Sequence, residues 1–359
     1  MFKAYLSLSR TLGTYIEGPG SELSAIAAPE GMYKVKLSIV ILCWNDHRVI
    51  VECLRSICSR THSIEFEVIV SDNGSTDGSP ELIRDAFPQI RVIKNNANLR
   101  FSKGNNVGIQ ASIGEYVLIL NPDTIIHEGS LDRWIEFAER HPEAGGFGCR
   151  VLNPDGSYQS SARPFPTIWR GWLAALRLGI LGYVSDAFIS EEYVQWKGDT
   201  ERLIDWHSGC CLMVRSDLLK RLGGFDEQFQ YYYEDVDLCH RIWDANYPIV
   251  FTPEVTITHL GGQSTIERFP IAFELDKYRN RYRYFYKYFG RKGVRHCRRY
   301  SLVRIWIRQV GYRLLSLVER SDRLRKRLDL YNAAIDWNRR VDPVQLVEKG
   351  KEPELKNVA

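Results

Sequence analysis

Tyr116-Val-Leu-Ile-Leu-Asn-Pro-Asp123 is the stretch around which the rest of the sequence is arranged. Its first five residues are apolar and of the type found in strands, and Pro122 ends the strand because proline has no N–H to donate to a neighbour. Asp123 therefore lies at the carboxyl end of a central strand, where ligands bind in open α/β sheets. A carboxylate there suits a divalent cation that holds phosphate oxygens. The alternative is an Asp that only caps a turn.

Strands and helices alternate on the amino-terminal side of this stretch. The hydrophobic pattern predicts strands at 36–43, 66–70 and 90–94 and helices at 49–57 and 80–86. This order requires right-handed crossovers and a parallel sheet. On the carboxyl-terminal side the pattern predicts a helix at 131–140 and strands at 145–152, 211–214, 249–251 and 255–258. The pattern of residues 168–184 predicts an amphipathic helix. This helix would line an acceptor site or touch a lipid surface, and the alternative is plain packing in the core.

Composition sets limits on the class of protein. The 359 residues allow one large domain or two, and the net charge of +4 is no global signature of nucleic-acid binding. Eight cysteines without a Cys-x-x-Cys pair indicate buried thiols in a reducing compartment. No run of 18 apolar residues and no signal peptide are found in the sequence.

Two polar segments follow predicted strands. Asp72-Asn-Gly-Ser-Thr-Asp77 comes directly after the second strand, where the Asp72 carboxylate can accept hydrogen bonds from a base or ribose and Gly74 lets the backbone approach a ligand. Residues 95–108 predict an amide- and glycine-rich loop that leads into a short helix, with Arg100 and Lys103 facing phosphates. The alternative for both segments is a solvated turn. No dinucleotide-binding or P-loop fingerprint occurs.

Acidic residues mark the start of a later helix. Glu234 and Asp235 follow three tyrosines and begin a helical pattern, so the helix macrodipole stabilises their ionised form. Each carboxylate raises the pKa of the other, which favours a general base. The alternative is a pair of ordinary helix-start acids, and Asp237 is interpreted as structural. His207 precedes the strand predicted at 211–214, and His259 follows the strand predicted at 255–258. A lone histidine at such a place is more often structural than a ligand.

The order of these motifs resembles glycosyltransferase family 2, and within it the rhamnosyltransferase-type bacterial members. The resemblance covers residues 37–263 and rests on Trp44-Asn45, the Asp72 loop, Asn98-Leu-Arg-Phe-Ser-Lys-Gly-Asn-Asn106 and Asn121-Pro-Asp123. It implies a GT-A-like α/β fold and an inverting transfer from a nucleoside-diphosphate sugar with Mg²⁺ or Mn²⁺. Asn121 stands where many members have the first Asp of an Asp-x-Asp motif, so one charge fewer is available there.

The resemblance also assigns roles to residues. Asp123 and His259 would hold the metal, Asp235 would be the general base, and Glu234 would support catalysis and bind the acceptor with Trp206 and Gly209. The nucleotide-sugar residues would be Trp44, Asn45, Asp72, Asn73, Gly74, Lys103, Asn105, Asn121 and Asp123.

The expected domain organisation has four parts. Residues 35–265 form the glycosyltransferase domain, with a nucleotide-sugar half at 35–125 and an acceptor half at 126–265. An N-terminal extension at 1–34 precedes it. A basic helical extension at 266–341 and a flexible tail at 342–359 follow it.

The extension has an unusual charge pattern. Residues 277–313 contain thirteen Lys or Arg and no Asp or Glu, interleaved with aromatic residues. Such a pattern can bind nucleic acid, but no nucleic-acid motif accompanies it. A basic amphipathic helix on an anionic membrane fits better, and the alternative is a helix whose aromatic face packs on the catalytic domain.

The sequence therefore predicts a cytoplasmic enzyme at the inner face of the plasma membrane. It would move a sugar, with rhamnose as the candidate, from a dTDP- or UDP-sugar to a glycan or lipid-linked acceptor in cell-surface polysaccharide synthesis. Two alternatives stay open: a nucleotidyltransferase resembling sugar-nucleotide pyrophosphorylases, and a non-catalytic, membrane-associated protein that binds sugar nucleotides.

Overall fold

The strand Tyr116–Leu120 is buried at every residue, as the sequence predicts. The computed structural model describes residues 35–261, 270–319 and 321–350, so the predicted extension at 1–34 lies outside the described residues. The strands are β1 (Leu37–Cys43), β2 (Phe66–Asp72), β3 (Arg91–Lys94), β4 (Tyr116–Leu120), β5 (Thr124–Ile126), β6 (Gly146–Leu152), β7 (Ala162–Arg163), β8 (Arg202–Leu203), β9 (Trp206–His207), β10 (Cys211–Arg215) and β11 (Ile249–His259).

Helices cover both faces of the main sheet and form a separate layer at the carboxyl-terminal end. The α-helices are α1 (Ile50–Arg60), α2 (Ser79–Ala86), α3 (Arg100–Ala111), α4 (Ser130–Arg140), α5 (Ile168–Ala175), α6 (Ser216–Arg221), α7 (Glu234–Asp244), α8 (Pro270–Leu315), α9 (Asp322–Arg340) and α10 (Pro343–Lys349), and two 3₁₀ helices span Leu178–Tyr183 and Asp186–Phe188. Within the described ranges, no helix is both long enough and apolar enough to cross a bilayer.

The main sheet has the order β3-β2-β1-β4-β10-β6-β11-β5, and β8 pairs with β11. β3, β2, β1 and β4 are parallel, as the alternating pattern predicts. β10 lies antiparallel between β4 and β6. The two strands predicted at 249–251 and 255–258 are one strand, β11, whose register against β6 shifts between Thr252 and Thr256. The predicted α/β class is confirmed.

Alternate residues of the central strands enter two apolar clusters on opposite faces of the sheet. Ile39 and Leu118 pack with residues of α1 and α4. Val40 and Ile119 pack with residues of α3, α6 and α7. Full burial of such a side chain stabilises the fold by about 1.5–3 kcal/mol, which explains why these strands are apolar on both faces.

The loop predicted at 95–108 is shorter than expected, because α3 begins at Arg100. The glycines in this segment allow the helix to pack closely on β1. A Cβ at Gly104 would lie 2.4 Å from Leu42 Cδ1, and one at Gly108 would lie 2.4 Å from Val40 Cγ1. The amides serve packing as well, since Asn106 donates to the Phe225 carbonyl at 2.9 Å.

The amphipathic helix predicted at 168–184 is interrupted. α5 ends at Ala175, and Arg177 has a φ of 58°, which an α-helix does not tolerate. The chain then forms the 3₁₀ helix Leu178–Tyr183.

Gly290 divides α8 into two halves, residues 270–289 and 291–315. Its φ of 63° and ψ of −164° are not helical. Arg281 and Arg304 both pair with Glu191, although 23 residues of straight helix would separate them by roughly 35 Å. The Phe285 and Tyr300 rings are 5.8 Å apart. The second half therefore folds back along the first.

The aromatic residues of α8 form the core of this helical layer. Tyr282, Tyr284, Phe285 and Tyr300 are buried together with Trp337 of α9. They are therefore not available to a membrane surface, contrary to the favoured interpretation of the sequence. The tail predicted from Asp342 also differs: Asp342 caps α10, and Glu348 of that helix accepts a hydrogen bond from Tyr286 at 2.6 Å. Residues 351–359 lie outside the described residues.

Candidate active site

The predicted site residues meet at one edge of the sheet because four strand ends are in register there. Cys43 at the end of β1 pairs with Asp72 at the end of β2. On the other side of β1, Leu120 ends β4 and pairs with Cys211, the first residue of β10. The Asp72 loop, Trp44-Asn45, Asn121-Pro-Asp123 and Ser208-Gly209 consequently surround the same edge.

The Asp72 loop is held against the loop that follows β1. Asp72 is 2% exposed, and its carboxylate accepts the backbone N–H of Gly74 at 3.2 Å and of Ser75 at 3.3 Å. Asn45 accepts the N–H of Thr76 at 2.8 Å and donates its own N–H to Ser75 Oγ at 2.9 Å. Asn45 has a φ of 58°, so a rare backbone conformation brings the two loops together.

Gly74 adopts a φ of 73°, and a Cβ at this position would lie 3.1 Å from the backbone nitrogen of Ala97. Glycine is therefore required here by backbone conformation and by close packing. Trp44 is partly exposed and Lys103 is exposed at this edge, so both side chains are accessible to a ligand.

Two residues that were assigned to the nucleotide sugar are turned into the protein instead. Asn73 is 1% exposed; its amide donates to the Arg100 carbonyl at 3.1 Å and accepts from Asn95 at 2.9 Å. Asn105 is 1% exposed and donates to the Phe101 carbonyl one turn earlier at 3.0 Å. Both amides fix the loop and helix that line the site.

Asp123 and His259 converge although 136 positions separate them in the sequence. His259 Nε2 lies 3.2 Å from Asp123 Oδ1, and both side chains are largely buried. β11 brings His259 there by pairing antiparallel with β5, with His259 opposite Thr124. The Asn121 amide is 3.5 Å from His259 Nε2, so the amide faces the same point.

The orientation of His259 is set by Gln159, which the sequence analysis missed. His259 Nδ1 lies 2.8 Å from Gln159 Oε1. The Gln159 amide donates in turn to Asn153 Oδ1 at 2.8 Å, which fixes its oxygen toward the imidazole. The Gln159 oxygen can only accept, so Nδ1 donates to it, and Nε2 is the ring nitrogen that faces Asp123.

This donor set fits a divalent cation. His259 Nε2 and Asp123 Oδ1 lie 3.2 Å apart, and an imidazole nitrogen and a carboxylate oxygen are both ligands of divalent cations. Adjacent ligands of an octahedral ion at about 2.1 Å are roughly 3 Å apart, which agrees with this spacing. The described residues contain no group of three His, Cys, Asp or Glu side chains that could hold a metal, so a cation here would take its remaining ligands from water or substrate oxygens.

The carboxylates of Glu234 and Asp235 stand at the first turn of α7. Tyr232 and Tyr233 precede them with φ of 65° and 71°. Such a strained backbone conformation persists only where the surrounding structure enforces it. Asp235 accepts the backbone N–H of Gly209 at 3.0 Å and of Val236 at 2.8 Å. The next residue, Cys210, accepts the backbone N–H of Asn121 at 2.9 Å, so adjacent residues of one segment contact Asp235 and the segment that leads to Asp123.

The two carboxyl groups have different surroundings. Glu234 is 6% exposed, and its Oε2 has no hydrogen-bond partner within the described residues. Burial, and next the negative charge of Asp235, raise the pKa of Glu234 well above its usual range. Burial also raises the pKa of Asp235, but the N–H groups of Gly209 and Val236 oppose that rise. Asp235 is therefore the better carboxylate of the pair, and Glu234 is the better proton donor.

The other candidate residues divide into site walls and structural supports. Gly209 lies between Asp235 and the Phe101 ring. The Trp206 indole donates to the Pro164 carbonyl at 3.0 Å, and the Arg163 guanidinium lies over its ring. Asp237 is fully buried and pairs with Arg241 at 2.8 Å and with Lys287 at 2.7 Å, so it is structural as predicted. His207 is fully buried with both ring nitrogens against backbone carbonyls.

A mixed sheet with a polar edge, an Asp–His pair at that edge and an acidic pair beside it is an arrangement suited to a group-transfer enzyme. The family model Glycosyl transferase family 2 matches residues 38–191. The model Glycosyl transferase family group 2 matches residues 116–319, more than half of the chain. The chain belongs to glycosyltransferase family 2 and is a glycosyltransferase.

Individual relatives agree with this family. An N-acetylglucosaminyl-diphospho-decaprenol L-rhamnosyltransferase of Mycobacterium tuberculosis is 34% identical over 212 residues, which cover 55% of this chain and 67% of that protein. Rhamnosyltransferase WbbL of Escherichia coli is 26% identical over 181 residues, 48% of this chain and 65% of that protein. The nucleotidyltransferase and the non-catalytic alternatives are not favoured by these matches.

The fold has a solved counterpart. The mannosyltransferase PcManGT of Pyrobaculum calidifontis, crystallised with GDP-Man and Mn²⁺, superposes with a TM-score of 0.54 over 89% of both chains at 15% identity. This similarity supports the GT-A-like fold predicted from the motifs.

Proposed function

We propose that this enzyme transfers a rhamnosyl group from a nucleoside-diphosphate sugar to a lipid-linked N-acetylglucosaminyl diphosphate. The first candidate donor is dTDP-rhamnose, and a UDP-sugar is the second. The names of the rhamnosyltransferase relatives support the sugar and the acceptor. The product would enter cell-surface glycan synthesis at the inner face of the plasma membrane. The observation that carries the proposal is the Asp235 carboxylate, oriented by the N–H of Gly209 beside the edge where Asp72 ends β2 and Asp123 follows β4.

The reaction would be a single displacement with inversion. The Asp72 loop would bind the base and ribose, while Lys103 would meet the diphosphate. Asp235 would take the proton of the acceptor hydroxyl as that oxygen attacks the anomeric carbon and the nucleoside diphosphate leaves. Glu234, protonated more readily than Asp235, would donate a hydrogen bond to the acceptor. No covalent sugar–enzyme intermediate is required, so one carboxylate base suffices.

Asp123 and His259 would hold a Mg²⁺ or Mn²⁺ ion, with Asn121 beside them. When bound, such an ion supplies positive charge that stabilises the leaving diphosphate. His259 favours Mn²⁺, because imidazole is a better ligand for that ion than for Mg²⁺. Gln159 would hold the imidazole by its Nδ1 and so direct Nε2 toward the ion.

The test is transfer by the purified enzyme to a short-chain N-acetylglucosaminyl diphosphate lipid, with dTDP-rhamnose, UDP-N-acetylglucosamine, UDP-glucose and GDP-mannose offered in parallel with Mn²⁺. We expect the disaccharide product from dTDP-rhamnose, and proton NMR of its anomeric position should show inversion relative to the donor. Transfer from a different donor would overturn the proposed sugar. Retention of configuration would overturn the single displacement.

A further inference from the structure

The end of α8 carries apolar side chains that no part of the described structure covers. Leu314, Leu315, Leu317 and Val318 are 61%, 50%, 80% and 92% exposed. Single exposed apolar residues are common on soluble proteins, but four within five positions form a local patch.

This patch lies at one end of a helical hairpin. Gln309 donates to Asn332 at 2.6 Å, and the Tyr312 and Tyr331 rings are 5.4 Å apart, so α9 runs antiparallel to the second half of α8. The last residues of α8 therefore lie beside the first turns of α9. We call residues 313–318 and 324–327 the hairpin tip.

Cations surround the apolar residues of the hairpin tip. Arg313, Arg325, Lys326 and Arg327 are all exposed. Residues 313–327 contain six Lys or Arg and two acids, Glu319 and Asp322, both exposed. The acids of this segment do not balance its cations, so its net charge is positive. A positive segment of this kind is complementary to an anionic surface.

A second exposed apolar group adjoins the same helix. Ile180, Tyr183 and Val184, in and after the 3₁₀ helix Leu178–Tyr183, are 70%, 63% and 84% exposed. Ile180 and Tyr183 line one hollow with Arg304 of α8. Arg304 is ten residues, about 15 Å of helix, from Leu314, and Trp306 between them is 56% exposed.

We infer that the hairpin tip, with the 3₁₀ helix Leu178–Tyr183 as a second contact, docks on a lipid bilayer with anionic headgroups. Aliphatic side chains would enter the interface, Tyr183 and Trp306 would lie at headgroup level, and the cations would meet the lipid phosphates. The inference deepens the proposed function by naming the surface that meets the membrane. The inference depends on the proposed function in one respect, the lipid-linked acceptor, which docking on the membrane would bring to the active site. The buried aromatic residues of α8 take no part.

The apolar part of the contact is tested by co-sedimentation with vesicles of phosphatidylcholine and 30% phosphatidylglycerol. Leu317→Ser/Val318→Ser should weaken binding at least tenfold, because the side chains that enter the lipid are lost. The matched control is Ile113→Ser/Leu203→Ser, which removes two exposed apolar residues of the main α/β domain and should bind as the parent does. Equal loss in both variants, or no binding by the parent, would overturn the inference.

The charged part is tested with Arg325→Gln/Lys326→Gln. Each cation lost should weaken binding to anionic vesicles about fivefold, and binding by the parent should fall steeply between 50 mM and 500 mM salt. Arg55→Gln/Arg84→Gln, exposed on α1 and α2, is the control and should bind as the parent does. Equally tight binding to pure phosphatidylcholine would overturn the anionic partner.

Two further measurements distinguish lipid docking from self-association and from catalysis. Sedimentation velocity without lipid should show the same mass for the parent and for Leu317→Ser/Val318→Ser. A dimer in the parent that the substitution dissolves would mean that the tip binds a second copy of the chain. The variant should also keep parental transfer to a water-soluble acceptor. If the parent binds vesicles but transfers nothing, the proposed function fails while the docking surface stands.

Discussion

The two carboxyl groups at the start of α7 differ in what their atoms contact, and this difference defines their roles. Asp235 accepts two backbone N–H groups, whereas Glu234 keeps an oxygen without a partner in the described part of the chain. A carboxylate with fixed N–H donors stays oriented when it takes a proton. The sequence predicts the acidic pair but not the different contacts of its two members, because Gly209, which donates its N–H to Asp235, lies 26 positions away.

Asp235→Asn should lower kcat at least about 10²-fold with little change in the KM for the donor, because only the proton acceptor is lost. In the parent, kcat/KM should fall as pH drops through the raised pKa of Asp235, since the base must be ionised. Steady-state kinetics between pH 5 and 9 measure both effects.

The control is Asp237→Asn, two residues along the same helix. Asp237 is fully buried between Arg241 and Lys287, so its substitution should cost about 3–5 kcal/mol of stability and leave the kcat of the folded enzyme near the parental value. If Asp235→Asn keeps parental turnover, Asp235 is not the base.

Glu234 should make stability depend on pH. Its pKa is raised in the folded state, so the folded protein keeps this proton to higher pH than the unfolded chain does. The contribution of Glu234 to stability is therefore largest below its unfolded pKa and is lost as pH rises through the folded pKa. Glu234→Gln should raise Tm at pH 8, with about 2–4 °C for each kcal/mol, and by less at pH 5.

Thermal unfolding of Glu234→Gln and the parent at both pH values measures this difference. Glu136→Gln, on the exposed face of α4, is the matched control. A gain in Tm for Glu234→Gln that is the same at pH 5 and pH 8 would contradict the assigned titration.

Gln159→Ala should weaken Mn²⁺ binding about 10- to 100-fold, because the residue that orients a metal-ligating histidine is lost. Gln159→Glu keeps an oxygen acceptor toward Nδ1 and should retain most of the affinity. Calorimetric titration of Mn²⁺ in the presence of dTDP measures the binding without turnover. Gln110→Ala, exposed on α3, serves as control, and parental affinity in Gln159→Ala would remove the orienting role.

At the scale of elements, the sequence predicts what short-range signals determine. Pro122 ends β4, and Glu234 begins α7, as expected. The sequence predicts a loop over residues 100–108, which form most of α3, because their glycines and amides are loop residues by composition. In the structure the glycines serve close packing against β1. Gln159 could not be found, since its partner His259 follows 100 residues later and no local pattern links them.

The break in α8 has a local signal in the sequence. An isolated glycine lies in a helical pattern at position 290, and such a glycine often marks a chain reversal or helix end. What the sequence could not reveal is that the aromatic residues on both sides of Gly290 pack against each other. That contact, rather than a membrane, explains their spacing.

Gly290→Ala should destabilise the protein by about 1–3 kcal/mol, because a φ of 63° with a ψ of −164° is accessible almost only to glycine. Gly311→Ala is the matched control in the second half of α8. No described atom lies within 4 Å of a Cβ there, and alanine favours a helix over glycine by up to about 1 kcal/mol. Urea denaturation should therefore shift the two variants in opposite directions; a stable Gly290→Ala would disprove the constraint.

At the scale of the whole molecule, the helical layer supports α7, the helix that carries Asp235, the proposed base. Lys287 and the Tyr288 hydroxyl both contact Asp237 of α7, and the His240 ring stacks on Tyr288 at 3.8 Å. Lateral movement of α8 would therefore displace α7 and Asp235 with it. The main α/β domain and the helical layer are expected to unfold together.

Trp337→Ala tests this coupling from the far side of the layer. The residue is fully buried and stacks on Tyr282 at 6.1 Å, so its truncation should cost about 3–5 kcal/mol. Calorimetry should show one transition at a lower Tm, and donor binding should be lost at the same temperature. Asp329→Asn, exposed on α9, is the control. Two separate transitions would show that the layers are independent.

The hydrogen bonds behind His259 connect the interior to the surface. Gln159 receives its orientation from Asn153, and Asn153 donates to Ser157 across an exposed turn. A turn of this kind tolerates sequence change far better than a buried ligand does. If His259 binds a cation as proposed, evolution or a protein engineer can adjust the cation preference by varying residues 153–157, without altering either proposed ligand.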